Sequence, residues 1–269
     1  MPLDLAFRPA PERDGARLSA ADLSRYNHEG WIGPLDVFGP AEVRANRAGF
    51  DRLLGQAGGA YAINCYQTRA RTIWDLCTDA RIVDLVADVI GPDVACWASH
   101  FFCKLPGDPR PVPWHQDATY WHLSPARTVT VWLAIDDADA GNGAMRFVPG
   151  THAMGPLPSR AAAADAVLDR ETDGADAMGA PAVDALRAGQ CSLHADMLVH
   201  GLRPNLGDRC RCGLTIRDCP PEVRITDPGW ARGIEAIACR GDGGDWRHHP
   251  RPEGDDVSPG NSPRNVGGN

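Results

Sequence analysis

The sequence predicts a mostly β protein with flanking helices, built on a double-stranded β-helix (jelly-roll, cupin-like) core. Helical periodicity is confined to about residues 19–91, short strand-like runs punctuated by Gly and Pro fill about residues 94–240, and no βαβ alternation joins the two. Helices first and strands afterwards fit an antiparallel sandwich with helices packed outside it.

The elements follow in order. Ser19 suits the N-cap of a helix through Ala20, Leu23 and Tyr26, which ends at Gly30. Pro40 opens a second helix through Val43, Phe50, Leu53 and Leu54. Asp79 precedes a third, in which Ile82, Leu85, Val86, Val89 and Ile90 recur at helical spacing until Gly91-Pro92. Strands are expected at 94–104, 127–135, 144–148, 191–198, 209–219 and 236–239, all rich in β-branched or aromatic residues. The Ala- and Asp-rich stretch 155–189 is broken by Pro156, Pro158 and Pro181 and is too long for a hairpin connection. It reads as a partly helical insertion able to cover a site, or as an ordinary surface excursion. Past Arg240 the chain is dominated by Gly, Asp, Pro, Arg and Asn, and about residues 255–269 read as a flexible tail. Residues 1–269 together read as a single domain without internal repeats.

Composition narrows the function. A hydrophobic fraction of 43% over 269 residues supports a sizeable core. With 27 Lys+Arg against 35 Asp+Glu the net charge is −8, so neither nucleic acid nor an anionic membrane is an expected partner. Met1 to Pro11 lacks the pattern of a secretory signal, and no apolar run approaches the roughly 18 residues of a spanning helix. A cytoplasmic location and a small-molecule substrate are expected; oligomeric state is not indicated. Nine cysteines, none in a C-x-x-C pair, read as reduced and mostly buried thiols. Cys210 and Cys212 share one strand face, which packing explains.

Chemistry concentrates in Trp114-His115-Gln116-Asp117. A histidine and a carboxylate two apart at a strand end project to one side, and a second histidine from a distant strand completes a face of three ligands suited to iron(II). By itself H-x-D is weak, because it recurs as His194-Ala195-Asp196 and either pair can be an ordinary hydrogen-bonded pair. What favours the first copy is its context: a strand, an Asn142-Gly143 turn, a Pro149-Gly150-Thr151-His152 loop and then Val199-His200-Gly201.

From about Leu23 to Arg240 the chain resembles the phytanoyl-CoA dioxygenase family. The motifs are W-H-Q-D-A-T-Y-W (114–121), V-T-V-W-L-A-I-D-D (129–137), N-G-A-M-R-F-V-P-G-T-H (142–152), L-V-H-G-L-R-P-N (198–205) and R-C-R-C-G-L-T-I-R (209–217). The resemblance implies an Fe(II)- and 2-oxoglutarate-dependent dioxygenase that consumes O2, with iron held by His115, Asp117 and His200. It also implies that Arg211, eleven residues after the distal histidine, grips the far carboxylate of 2-oxoglutarate. A guanidinium fork matches a carboxylate and keeps its charge when buried. Arg209, on the same strand face, is the runner-up; Arg209 and Arg217 otherwise read as solvent-facing or surface-paired. Thr130 and Trp132 resemble cosubstrate-pocket positions, or are core packing. Lys104 is a further contact or a solvated lysine.

His194 and Asp196, at even spacing from His200, would share its face on a regular strand, and with His152 they are assigned supporting structural roles. Many relatives carry Ser after the distal His-Gly, where this chain has Leu202; a hydroxyl from Thr215 or Thr130 then substitutes, or Arg211 acts alone. The expected reaction is hydroxylation of a small polar metabolite or natural-product intermediate, as in secondary metabolism. Desaturation, cyclisation and epimerisation draw on the same chemistry. Halogenating relatives replace the carboxylate ligand by Gly or Ala, whereas Asp117 is retained. The alternative from another class is a non-catalytic jelly-roll binding module, against which the family-spaced Arg211 speaks.

Overall fold

Caps and spacing place the expected helices. Helix α1 (Ala20–Glu29) starts on a capping box, with the Ser19 hydroxyl accepting from the Asp22 amide and the Asp22 carboxylate accepting from that of Ser19. Helix α2 (Pro40–Ala57) opens with proline in its first turn, and α4 (Ala80–Ile90) is capped by Asp79, which accepts from the Arg81 amide. A short α3 (Arg71–Cys77) lies between them. Residues 3–59 and 62–258 are described by the computed structural model.

Two antiparallel sheets face each other. The large one runs β1 (Trp31–Asp36), β10 (Gln190–Ala195), β5 (Val129–Ala134), β12 (Arg211–Cys219), β2 (Val94–Lys104), β14 (Ile237–Arg240). The small one runs β3 (Val112–His115), β11 (His200–Leu202), β6 (Met145–Phe147), β9 (Ala182–Val183). This is the expected jelly roll. Strand alternation divides the large sheet: Val129, Val131, Leu193 and Ile216 pack with Phe50, Leu53 and Ile82 of the helices. Trp132 on the opposite face packs with Val112, Met145 and Phe147 of the small sheet.

Several expectations are corrected. The single strand expected at 191–198 is two: the chain leaves the large sheet after Ala195, turns, and enters the small sheet at His200. Strand β1 lies in the connection between two expected helices, where no strand was expected. It is an edge strand with a bulge between Ile32 and Leu35, where the missing amide of Pro34 is tolerated. The 155–189 insertion carries no α-helix; it holds an antiparallel pair, β7 (Ser159–Ala161) and β8 (Arg170–Thr172), then one 3-10 turn at Ala175–Ala177 and β9. Of the expected tail, Asp255 accepts from the Thr72 amide and hydroxyl and Val257 is fully buried, while 259–269 lie outside the described residues. All nine cysteines are free thiols. Among the described residues no helix is long and apolar enough to cross a membrane.

Between the sheets, Asp184 follows β9 and accepts from the Ser192 hydroxyl at 2.6 Å, while its other oxygen has no partner. Burial pushes this carboxyl up from 3.8 to about 7, the Ser192 hydrogen bond acting the other way. An unfolded chain gives up this proton near pH 4 and the native chain only near pH 7. The stabilising contribution is therefore full below pH 4 and is lost as pH rises through 7. Asp184→Asn should flatten that decline and raise stability at pH 8 by on the order of 2 kcal/mol, read from urea unfolding at pH 5 and 8.

Candidate metal centre

The small sheet brings the two histidines together. His115 ends β3 and His200 opens β11, and the two are direct partners in the antiparallel register. Each ring is fixed the same way: Nδ1 donates to the carbonyl two residues back, His115 to Pro113 at 2.8 Å and His200 to Leu198 at 2.9 Å. A carbonyl only accepts, so the proton sits on Nδ1 and the Nε2 lone pairs are free to bind a cation. Close approach permits the pairing, because a Cβ on Gly201 would stand 3.0 Å from the Val112 carbonyl and 3.2 Å from that of Pro113.

Asp117 begins a 3-10 turn (Asp117–Tyr120), and the extended backbone of Gln116 turns its carboxylate to the His115 side. Asp117 Oδ1 lies 3.6 Å from His115 Nε2, and Oδ2 lies 4.0 Å from His200 Nε2. These three are the one group of metal-ligating side chains among the described residues whose ligand atoms converge, all within 4.8 Å. Burial would raise the Asp117 carboxyl, but the Arg217 guanidinium, His115 and His200 hold it well below the usual range. Burial and the neighbouring His115 push His200 well below its ordinary value. The centre offers two imidazole Nε2 atoms and one ionised carboxylate, a hard and borderline donor set on one face.

Arg217 was expected at the surface. It is buried instead, its Nη2 4.0 Å from Asp117 Oδ1 and its guanidinium against the rings of Trp97 and Trp121. Arg209, by contrast, lies outside and pairs with Asp139 at 2.7 Å, so it does not reach the site. Arg211 is 1% exposed and leans along β12, donating to the Phe102 carbonyl at 3.3 Å with its guanidinium 5.1 Å from the Trp132 ring. Gly213 makes room for that ring, since a Cβ there would stand 2.4 Å from it.

Lys104 is the cross-strand partner of Arg211 and is completely buried, so the solvated reading is wrong. Its ammonium donates to the Arg110 carbonyl. Burial, then the charge of Arg211, pushes it down to about 8. Two cations side by side in the interior are a receptor for an anion, whose charge would offset their repulsion. Leu202 fills its position with an apolar side chain packed in the cluster of Val112 and Trp132. Of the two hydroxyls considered in its place, Thr215 donates to the His100 carbonyl at 3.1 Å, whereas the buried Thr130 hydroxyl has no partner.

Asp196 and His152 both make hydrogen bonds to backbone groups. Asp196 accepts from the Thr128 amide, and its carbonyl accepts from Ala118 in the turn that carries Asp117. His152 bonds the Asn27 carbonyl at 3.0 Å. Gln116 was given no role, yet its amide donates to the Gly155 and Met197 carbonyls and accepts from the Leu157 amide. It ties the insertion to the metal motif, and Trp114 adds a bond from Nε1 to Asp176 at 2.9 Å. A cleft opens beside His115, lined by Thr119, Tyr120, Leu157, Arg170 and Glu171, so the insertion borders the site.

Comparisons with known proteins show what the chain as a whole is similar to. The family model for phytanoyl-CoA dioxygenase (PhyH) matches residues 26–213. An ectoine dioxygenase of Streptomyces avermitilis is 26% identical over 153 residues, 50% of this chain and 52% of the relative. Phytanoyl-CoA dioxygenase domain-containing protein 1 of Danio rerio is 29% identical over 147 residues, 52% of this chain and 50% of that protein. The chain thus spans about half the length of the curated relatives it matches. Among solved structures, the apo form of the non-heme monooxygenase ThoJ superposes with a TM-score of 0.73 at 30% identity, covering 86% of this chain and 88% of that one. EctD from S. alaskensis, solved with 2-oxoglutarate and 5-hydroxyectoine, gives a TM-score of 0.69 at 16% identity over 83% of this chain and 85% of that one, a likeness of fold alone.

Replacing any one of His115, Asp117 and His200 by Ala should weaken ferrous ion binding by more than about 100-fold, beyond what loss of a supporting contact costs. Anaerobic equilibrium dialysis measures this. Asp184→Asn, outside the triad, is expected to bind as the wild type does.

Proposed function

The chain belongs to the phytanoyl-CoA dioxygenase family, and from that premise we propose that it is an Fe(II)- and 2-oxoglutarate-dependent oxygenase of a small polar molecule. The observation that carries this reading is the convergence of His115, Asp117 and His200 in the same inter-sheet space as a buried Arg211–Lys104 pair. The residues fit both groups. Two Nε2 lone pairs and an ionised carboxylate suit iron(II), and adjacent buried cations suit the far carboxylate of a dicarboxylic acid. Iron(II) with 2-oxoglutarate and O2 couples decarboxylation of the oxo acid to succinate and CO2 with oxidation of a substrate C–H bond.

The protein's own residues divide the remaining work. Arg211, braced on Trp132, grips and orients the far end of the cosubstrate, with Lys104 adding charge. Trp97 and Trp121 hold Arg217 against Asp117 and keep the carboxylate ionised. The substrate approaches through the cleft beside His115. Its lining mixes Thr119, Tyr120, Arg170 and Glu171 with Leu157, which favours a small molecule carrying charged or hydroxyl groups, as ectoine does for one relative. Hydroxylation is the default outcome; desaturation, cyclisation and epimerisation would follow from how the substrate is held.

Arg211→Ala should raise the 2-oxoglutarate requirement by roughly thirty- to a thousand-fold, the worth of a charge-assisted bidentate pair, with little change in the iron requirement. Succinate release measured against cosubstrate concentration tests this, and the same defect in Arg209→Ala but not Arg211→Ala would reassign the clamp. Retention of Asp117 further predicts an oxygenated or desaturated product, without chlorination, at high chloride under ¹⁸O2. Mass spectrometry of the product would overturn the ligand assignment if it found chlorine.

A further inference from the structure

Beside the triad lies a histidine whose hydrogen-bonding capacity is wholly unused. His194 is 1% exposed, and neither ring nitrogen has a hydrogen-bond partner. A neutral imidazole carries one donor and one acceptor, and burying both unmet is costly. Its ring touches Phe147 and His200, with centroids 5.2 and 4.8 Å away. Directly across the sheet on β5 stands Thr130, 1% exposed, whose hydroxyl is also without a partner. The next residue across, on β12, is Arg217, beside Asp117.

An imidazole, a hydroxyl and a guanidinium thus form one row across three strands, level with the triad. Orphaned buried polar groups are rare singly, and neighbours in a row call for a shared ligand. That ligand is the cosubstrate rather than the substrate. The cleft beside His115 is bordered by β8, which packs on β3 at the edge of the small sheet, and no residue lining it belongs to the row. The row instead shares the large sheet's inner face with Trp132 and Arg211.

Resting on the reading of the site as a 2-oxoglutarate centre, we propose that His194, with Thr130, holds the oxo-acid end of the cosubstrate while Arg211 holds the far carboxylate. The division follows from charge. A 2-oxo diacid presents two anionic ends, Arg211 and Lys104 serve one, and Arg217 is committed to Asp117. Uncharged donors at the other end fix its orientation without competing with the metal for its charge.

The test titrates the full-length protein, loaded anaerobically with Fe(II), with 2-oxoglutarate and separately with 2-oxobutyrate, which has the same oxo-acid end and no far carboxylate. Binding is followed by calorimetry and by visible absorption of the bound oxo acid. His194→Phe is expected to weaken both acids about ten-fold, and Thr130→Val, which removes only a hydroxyl, to weaken both by a smaller factor. Arg211→Ala weakens 2-oxoglutarate alone, and His194→Gln, which retains a donor, recovers most of the affinity. Wild-type affinity for both acids in a folded His194→Phe, or a loss confined to 2-oxoglutarate, would overturn the proposal. So would a matching loss of Fe(II) affinity without oxo acid, because His194 would then act by supporting His200. If the wild type bound Fe(II) and neither acid, the cosubstrate reading itself would fall.

Discussion

The site depends on one register: His115 opposite His200 across β3 and β11. A slip of one residue in an antiparallel pair turns every side chain to the other face, so the register that buries Leu202 against the core also aims His200 inward, and an irregularity in β3 between Val112 and His115 sets His115 opposite it. Apolar burial thereby fixes the chemistry. Gly201 lets the strands approach without a side chain between them, and the carbonyls of Pro113 and Leu198 set both tautomers. Asp117 joins from outside the ladder, carried by a turn whose Ala118 amide is anchored on Asp196.

Around that pair the interior has an unusual electrostatic layout. On β12 Arg217 stands beside the Asp117 carboxylate, and Arg211 at the start of that strand is paired across the sheet with Lys104 at the end of β2. Burying four ionised groups in one inter-sheet space is costly unless each charge is answered. A divalent cation beside Asp117 and an anion beside Lys104 and Arg211 would each lower that cost. Asp184 and Asp196, which burial pushes up to about 7, show how the same interior treats carboxyls that have no cation beside them.

Much of this was legible in the sequence because the signals were local. Ser19, Pro40, Asp79 and Gly91 mark helix ends through features confined to a few residues, and a run rich in β-branched and aromatic residues marks β2 over its full extent. The ordered motifs indicated the triad residues and the register of Arg211. What stayed hidden depends on partners far along the chain. Alternation says that Arg217 and Arg211 share a face but not that both are buried, and Lys104 reads as solvated until β12 is laid beside it. The break between β10 and β11 leaves no Gly or Pro in Asp196–Val199, so two strands read as one. Gln116 gave no signal, since its partners are backbone groups about 40 and 80 positions away.

Gln116 also bears on how such a protein diversifies. It falls between two of the proposed ligands along the chain, and its side chain stitches that segment to the start of the insertion and to the turn before His200. The insertion is therefore fastened at its root, and Trp114 pins it again at Asp176. Between those fastenings, residues 162–169 connect β7 to β8; Val167 and Leu168 pack against the inter-sheet cluster, and Ala163, Ala164 and Asp165 form the exposed tip. Mutation can lengthen, shorten or recolour that tip while the root keeps its grip. Change can then accumulate in one short stretch of chain while the triad and the contacts that position it are inherited unaltered.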